Sequence, residues 1–282
     1  MTSSRILLGF ALLGLPAYFF GQSPTGPHST AADLDEIAAL WEETETPERE
    51  IQLRLGYQYS KGDYGSAVDT TTSSWAATLA YDWSQWSLDA TVPHLRVEGS
   101  SEVTVTSGIL RRRQTRTTTV KTSESGLGDI TLGVTRLLGP VLGPVEIDLS
   151  ARVKLPTASE SKGLGTGETD YLAQADFYYS LEPAVLFATT GYRVLGDNAQ
   201  LPLENAFFTS AGLLLRLNAA TRAGVSLDWQ QRTQRGEDAA LEATLFVSRR
   251  LGDGWSASAY ALTGFSDASP DFGFGGSVGY RF

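Results

Sequence analysis

After residue 50 the apolar side chains of this chain fall at every second position, and no apolar run beyond the first twenty or so residues is long enough for a spanning helix. Ile51, Leu53, Leu55, Tyr57 and Tyr59 alternate with Gln52, Arg54, Gly56 and Gln58. Trp75, Ala77, Leu79, Tyr81 and Trp83 alternate with Ala76, Thr78, Ala80 and Asp82. The clearest case sets Val145, Ile147, Leu149, Ala151, Val153 and Leu155 against Glu146, Asp148, Ser150, Arg152 and Lys154. One face of such a strand suits lipid, and the other suits only water or paired charge. With a mean hydropathy of −0.12, a membrane chain of this kind must cross with strands, and strands cross only when every edge is paired.

The same rule places further strands near 86–97, 127–138, 170–181, 184–195, 206–217, 221–232, 239–250, 255–265 and 272–282, about twelve in all. The expected fold is all-β: an antiparallel transmembrane β-barrel over 51–282 that closes by pairing its last strand with the one starting at Ile51. An even count returns both ends to one side. The connections then alternate between short turns, as at Asp82–Gln85 and Leu251–Gly254, and mostly longer loops, as at 98–125 and 156–169. Aromatics gather at both strand ends: Tyr81, Trp83, Trp86, Tyr179, Trp255, Tyr280 and Phe282 by the short turns, and Tyr57, Trp75, Tyr171, Trp229, Phe265 and Phe272 by the long loops. Two such girdles mark two membrane surfaces, whereas a soluble β-sandwich, the structural alternative, would bury these rings mid-strand. Two strands are ambiguous in phase. In 184–195 the favoured phase turns Leu186, Ala188 and Tyr192 outward and Arg193 inward, although Val185 and Phe187 fit the opposite one; the strand from Trp255 is ambiguous around Tyr260 and Leu262. A bulge or an apolar patch in the lumen would resolve either.

Residues 1–23 read as a cleaved secretory signal, with Arg5 ahead of the apolar stretch Ile6 to Phe20 and a small-x-small site at Gly21-Gln22-Ser23. The segment 24–50 follows as an acidic periplasmic tether or lumen plug, with a short helix whose Leu34, Ile37, Ala38 and Trp41 share a face. Of the net charge of −10, Asp33 to Glu50 supplies −7, and no basic surface is rich enough to make nucleic acid a partner. The absence of cysteine excludes disulfides and thiolate metal sites.

Little in the chain points to chemistry. His94 is followed by Leu95 and Arg96 and has no matching nucleophile, so the chain is read as no enzyme, with no catalytic or metal residues. Gly163-Leu164-Gly165-Thr166-Gly167 looks like a phosphate cradle, but a strand follows it where a helix N-terminus is required. Glycines of this kind are loop residues needing permissive backbone angles. The charged residues that the alternation turns inward, and that would line the lumen, are Arg54, Asp89, Asp129, Asp148, Arg152, Lys154, Asp176, Arg193, Asp228 and Glu242. Their mixed signs could line an aqueous pore or pair across it. Arg111, Arg112, Arg113, Arg116 and Lys121 form one basic cluster in the longest loop. It suits lipopolysaccharide phosphates, or it is a solvated hairpin extension with Val103, Val105, Thr117 and Thr119 as strand residues.

Several stretches carry a family resemblance: Ser125-Gly126-Leu127-Gly128-Asp129-Ile130, Lys154-Leu155-Pro156-Thr157, Gly163 to Gly167 with Asp170-Tyr171, Gly191-Tyr192-Arg193, and Ser269-Pro270-Asp271 before the last strand. Ala158 stands where glycine is usual. From about residue 125 to the end the chain resembles the outer-membrane β-barrel family of meta-pathway of phenol degradation transporters. The resemblance implies a barrel in the bacterial outer membrane that passes small, often aromatic or apolar solutes without a cofactor. The terminal strand, with Val278, Tyr280 and Phe282 outward, also resembles the signal read by the barrel-assembly machinery. The expected function is a passive outer-membrane channel. A closed structural or surface-interaction barrel is the alternative, and an outer-membrane hydrolase ranks below both.

Overall fold

The structure, a computed structural model, describes residues 49–65, 69–107, 114–196 and 203–282; for 100–107 and 114–122 it describes the backbone alone. The expected signal sequence, the tether up to residue 48, and Arg111 to Arg113 lie outside these residues, as do the side chains of Arg116 and Lys121.

Among the described residues the strands are β1 (Glu50–Gly62), β2 (Thr70–Trp83), β3 (Trp86–Ser107), β4 (Gln114–Leu127), β5 (Ile130–Leu142), β6 (Val145–Leu155), β7 (Asp170–Leu181), β8 (Ala184–Val194), β9 (Ala206–Arg216), β10 (Thr221–Gln230), β11 (Ala240–Gly252), β12 (Trp255–Gly264) and β13 (Phe272–Arg281). Neighbours pair antiparallel, and β13 returns to β1, from Gln52 opposite Arg281 to Lys61 opposite Phe272. The edge that a sheet must otherwise protect is thereby removed.

Thirteen strands make a twelve-strand barrel because β4 and β5 occupy one position in the wall. Both pair with β3: β5 alongside Trp86 to Thr91, and β4 alongside His94 to Ser107. The interruption follows from the sequence. The Pro93 carbonyl accepts a bond from the Gly128 amide at 2.9 Å, so the backbone groups of residue 93 point at this seam. Proline has no N–H to return there. Gly128 also lies where an added Cβ would overlap Leu95 and Pro93. This corrects the expectation of a loop over 98–125. The ladder continues from Gly99 opposite Thr122 to Ser107 opposite Gln114, so the strands expected near 86–97 and 127–138 run on as a two-stranded ribbon, the hairpin-extension reading of that segment.

The outer face is apolar along the whole wall. Leu53, Leu55, Leu79, Val92, Leu132, Leu149, Leu186, Val225, Leu245 and Val278 are all exposed although hydrophobic, which is stable only against lipid. The aromatic girdles are outward as well. Trp75, Tyr171, Phe265 and Phe272 are exposed at the long-loop end, and Trp86, Tyr179, Trp255 and Phe282 at the short-turn end. Neighbouring rings of a girdle touch: Tyr57 and Trp75 at 4.7 Å between centroids, Trp255 and Tyr280 at 4.8 Å. Short turns and the start of β1 define the periplasmic end, and the longer loops the outer end.

Candidate functional site

The inward positions enclose a lumen of mixed chemistry. From β1 to β7 the wall is hydroxyl, amide and charge: Gln52, Gln58, Thr78, Thr91, Thr131, Thr135, Ser150 and Gln174 are all buried. Thr78 bonds Thr91 at 2.9 Å, and Thr135 bonds Ser150 at 2.7 Å. From β8 to β12 the wall carries an apolar patch beside the buried polar residues Thr189, Arg193, Arg222, Ser226, Asp228 and Glu242. Val185, Phe187, Leu214 and Phe246 form a buried cluster with Leu137 and Tyr178, and Tyr260 packs against it.

This apolar patch settles both phase ambiguities. Leu186 and Tyr192 do face outward, and Val185 and Phe187 are apolar because they belong to the lumen patch. Tyr260 and Leu262 are inward for the same reason. The patch has a repeated construction in which each ring lies over an inward glycine of the adjacent strand. Phe187 lies opposite Gly212, Phe208 opposite Gly191, Phe246 opposite Gly224 and Tyr260 opposite Gly275. At each glycine an added Cβ would overlap the ring. Laid flat in this way, a ring covers backbone that glycine leaves bare and takes little width from the lumen. Phe187 and Phe246 meet edge to face at 6.4 Å, making a continuous aromatic shelf, and the Tyr260 hydroxyl donates to Gln58 at 3.4 Å, where the shelf reaches β1.

All ten charged residues expected inward are buried. They fall into separate groups. At the outer end the Lys154 ammonium pairs with Asp170 at 2.7 Å and Asp129 at 3.1 Å and donates to Thr166 at 3.1 Å. In mid-lumen Arg152 approaches Asp89 at 3.9 Å. Asp176 accepts from Thr189 at 2.6 Å and from Gln174 at 2.9 Å, and stands opposite Asp148 on the neighbouring strand. Asp228 accepts from Ser226 at 2.9 Å and is in register with Glu242. The Arg193 guanidinium lies 5.2 Å from the Phe208 centroid, joining the charged set to the apolar patch. Arg54 lies with Gln52 and Ser256 against the inward Gly279.

The outer group explains the motif residues. The Thr157 hydroxyl donates to the Gly128 carbonyl and accepts from the Ile130 amide, both at 2.9 Å; the Ala158 amide donates to Asp129 at 2.8 Å, and the Gly196 amide to Asp170 at 2.6 Å. Gly163 (φ 65°) caps a short 3-10 turn, and Gly167 (φ 74°) needs the left-handed region. Leu164 and Thr166 are buried between them. The glycine run therefore lets the β6–β7 loop fold inward at the outer end.

Ser269 does the same for the β12–β13 loop. Its hydroxyl oxygen accepts from the Leu241 amide at 3.0 Å and donates to the Leu241 carbonyl at 3.2 Å. Ser269→Ala is expected to lose about 1 kcal/mol of loop anchoring, seen as faster protease cleavage within 265–271 of the folded barrel; an unchanged cleavage rate would show that other contacts hold the loop.

Sequence reasoning alone missed the ring-on-glycine pairs and the roles of Thr166, Asp170 and Ser269, which it had quoted only as motif residues. The signal for the pairs was present as inward glycines at positions that could register with aromatics, but it needed the register to be read. His94 is exposed and lies on the outward face between Trp75 and Leu127 in register. Val278 and Phe282 are exposed and Tyr280 half-buried, all on the outward face of β13.

Residues 58–282 match the family described as "Putative MetA-pathway of phenol degradation". No curated protein matches the sequence. Among solved structures, the COG4313 outer membrane channel from Pseudomonas putida F1 superposes with a TM-score of 0.66 at 14% identity, covering 86% of this chain and 98% of that one. The KdgM porin gives 0.52 at 8% identity, covering 83% and 99%, and the NanC porin 0.52 at 9% identity, covering 82% and 98%. What these share with the chain is the fold, a bacterial outer-membrane β-barrel.

Proposed function

The chain belongs to this phenol-degradation family, and on that premise we propose that it is a passive outer-membrane channel for small molecules that carry both an apolar or aromatic body and a polar group. The observation that carries the reading is the mixed lumen. An aromatic shelf formed by Phe187, Phe246 and Tyr260 shares it with buried hydroxyls, amides and the pair of Arg152 and Asp89. A solute ring gains burial and ring contacts on the shelf, while its polar group keeps hydrogen bonds to the polar side chains, so neither part is stripped of partners. Transport is driven by the concentration gradient, with no cofactor and no reaction; His94, on the outward face between Trp75 and Leu127, has no role in it.

The residues proposed to line the path are Arg54, Asp89, Asp129, Asp148, Arg152, Lys154, Asp176, Arg193, Asp228 and Glu242. Val278, Tyr280 and Phe282 are proposed as the strand that the assembly machinery reads, and the basic cluster Arg111 to Arg113 with Arg116 as the contact to lipopolysaccharide phosphate.

Flux across proteoliposomes should be faster for a phenol or aromatic carboxylate than for a sugar of equal size. A factor of about ten corresponds to roughly 1.4 kcal/mol of preferential interaction. Equal rates for all solutes would remove the role of the shelf. A barrel silent with and without residues 24–48 would support the closed, structural reading instead.

A further inference from the structure

One row of the lumen wall is continuous across six strands. In register from β6 to β11, the inward residues Asp148, Asp176, Thr189, Ser210, Asp228 and Glu242 are successive partners. The row holds four carboxylates and two hydroxyls and no base. Strands in a barrel are tilted, so a row of paired residues climbs along the axis. Asp148 lies three residues from the periplasmic start of β6, and Glu242 two residues from the outer start of β11. The row therefore runs from the periplasmic half of the wall to its outer end.

The charge of the row is answered at one end only. Arg152 lies within electrostatic reach of Asp176 as well as beside Asp89. At the outer end, among the described residues, neither Asp228 nor Glu242 makes an ion pair, and the charge that Glu242 meets is that of Asp228. Glu242 is 0% exposed, and neither of its carboxylate oxygens has a hydrogen-bond partner; the Ser269 hydroxyl near it gives its proton to the Leu241 carbonyl. Two neighbouring carboxylates repel unless a proton or a cation lies between them. Tyr64 and Tyr260 are both within electrostatic reach of Glu242, and aromatic rings add to the binding of an organic cation. The imbalance extends beyond the row. Nine acids and five bases are buried among the described residues, and a cleft of net negative charge concentrates cations.

We propose that this row is a track for positively charged groups, with Asp228 and Glu242 as its outer binding site, and that the solutes preferred by the channel carry an ammonium group on an aromatic or apolar body. The selectivity of flow rests on the channel reading; binding at Asp228 and Glu242 does not.

Binding is read by saturation-transfer NMR on the folded full mature chain in detergent at neutral pH, with benzylammonium and benzoate as probes of similar size and opposite charge. Benzylammonium should receive several-fold more saturation than benzoate, and Asp228→Asn with Glu242→Gln should bring the two together. Equal signals in the parent, the result expected of a proton held between the carboxylates, would overturn the site, as would a preference that survives the double substitution. Heat-dependent gel mobility checks folding, and Glu242→Gln alone serves where the double variant does not fold. Flow is read as the reversal potential across a planar bilayer in a KCl gradient. Potassium should permeate several-fold better than chloride, with the ratio falling toward one in the double variant. A ratio at or below one in a conducting barrel would overturn the track and leave the channel reading standing. A silent barrel that still binds benzylammonium would overturn the channel reading and the track, and leave the site.

Discussion

Lys154→Met is expected to destabilise the barrel by about 3–5 kcal/mol, the usual penalty for removing one partner of a buried ion pair. Lys154 is 1% exposed and Asp170 0%. The ammonium lies between two carboxylates, Asp129 and Asp170, that hold the Ala158 and Gly196 amides and so the ends of two outer loops. Methionine keeps the volume and removes the charge, leaving two buried anions facing each other. The measurement is the guanidinium midpoint for reversible unfolding in detergent or lipid vesicles. Asp129→Asn with Asp170→Asn in the Lys154→Met background should recover part of the loss, since a neutral cluster has no uncompensated charge. A change below about 0.5 kcal/mol, the range of an ordinary surface substitution, would mean that the network is incidental to stability.

The second large effect is at the shelf. Gly212→Val should reduce conductance sharply and destabilise the barrel by about 1–3 kcal/mol through overpacking. A Cβ at residue 212 overlaps both the Phe187 ring and the Val225 carbonyl. The backbone cannot yield without breaking the β9–β10 ladder, so the ring must leave the wall and enter the lumen. Phe187→Ala should act in the opposite direction on flow, widening the same stretch and raising conductance, while lowering the preference for aromatic solutes over sugars. Single-channel recording of the two variants beside the parent reads both effects. Conductance unchanged in both would mean that this stretch does not limit the path.

Both experiments concern parts of the molecule that differ in how visible they were before folding. The wall was legible strand by strand, because lipid on one side and water or paired charge on the other impose a period of two that survives in the sequence. Val145 to Leu155 shows it without exception. Reading failed at 98–125, where the membrane no longer enforces the period and Thr-rich residues extend the β3–β4 ribbon beyond it. It wavered at Val185 and Phe187, where both faces are apolar. There the usual contrast is absent, since the lumen patch and the lipid face ask for the same residue types.

The sequence by itself determined the fold class, the compartment, the closing pair of strands and which charged side chains turn inward, because each follows from a local alternation tied to one external surface. Only the tertiary structure decided what those inward residues do. That Lys154 meets Asp129 and Asp170 depends on pairing across β5, β6 and β7 and on an inward fold of the β6–β7 loop. The placement of Phe187 over Gly212 and Phe246 over Gly224 depends on register between strands, which sets partners that no local pattern encodes.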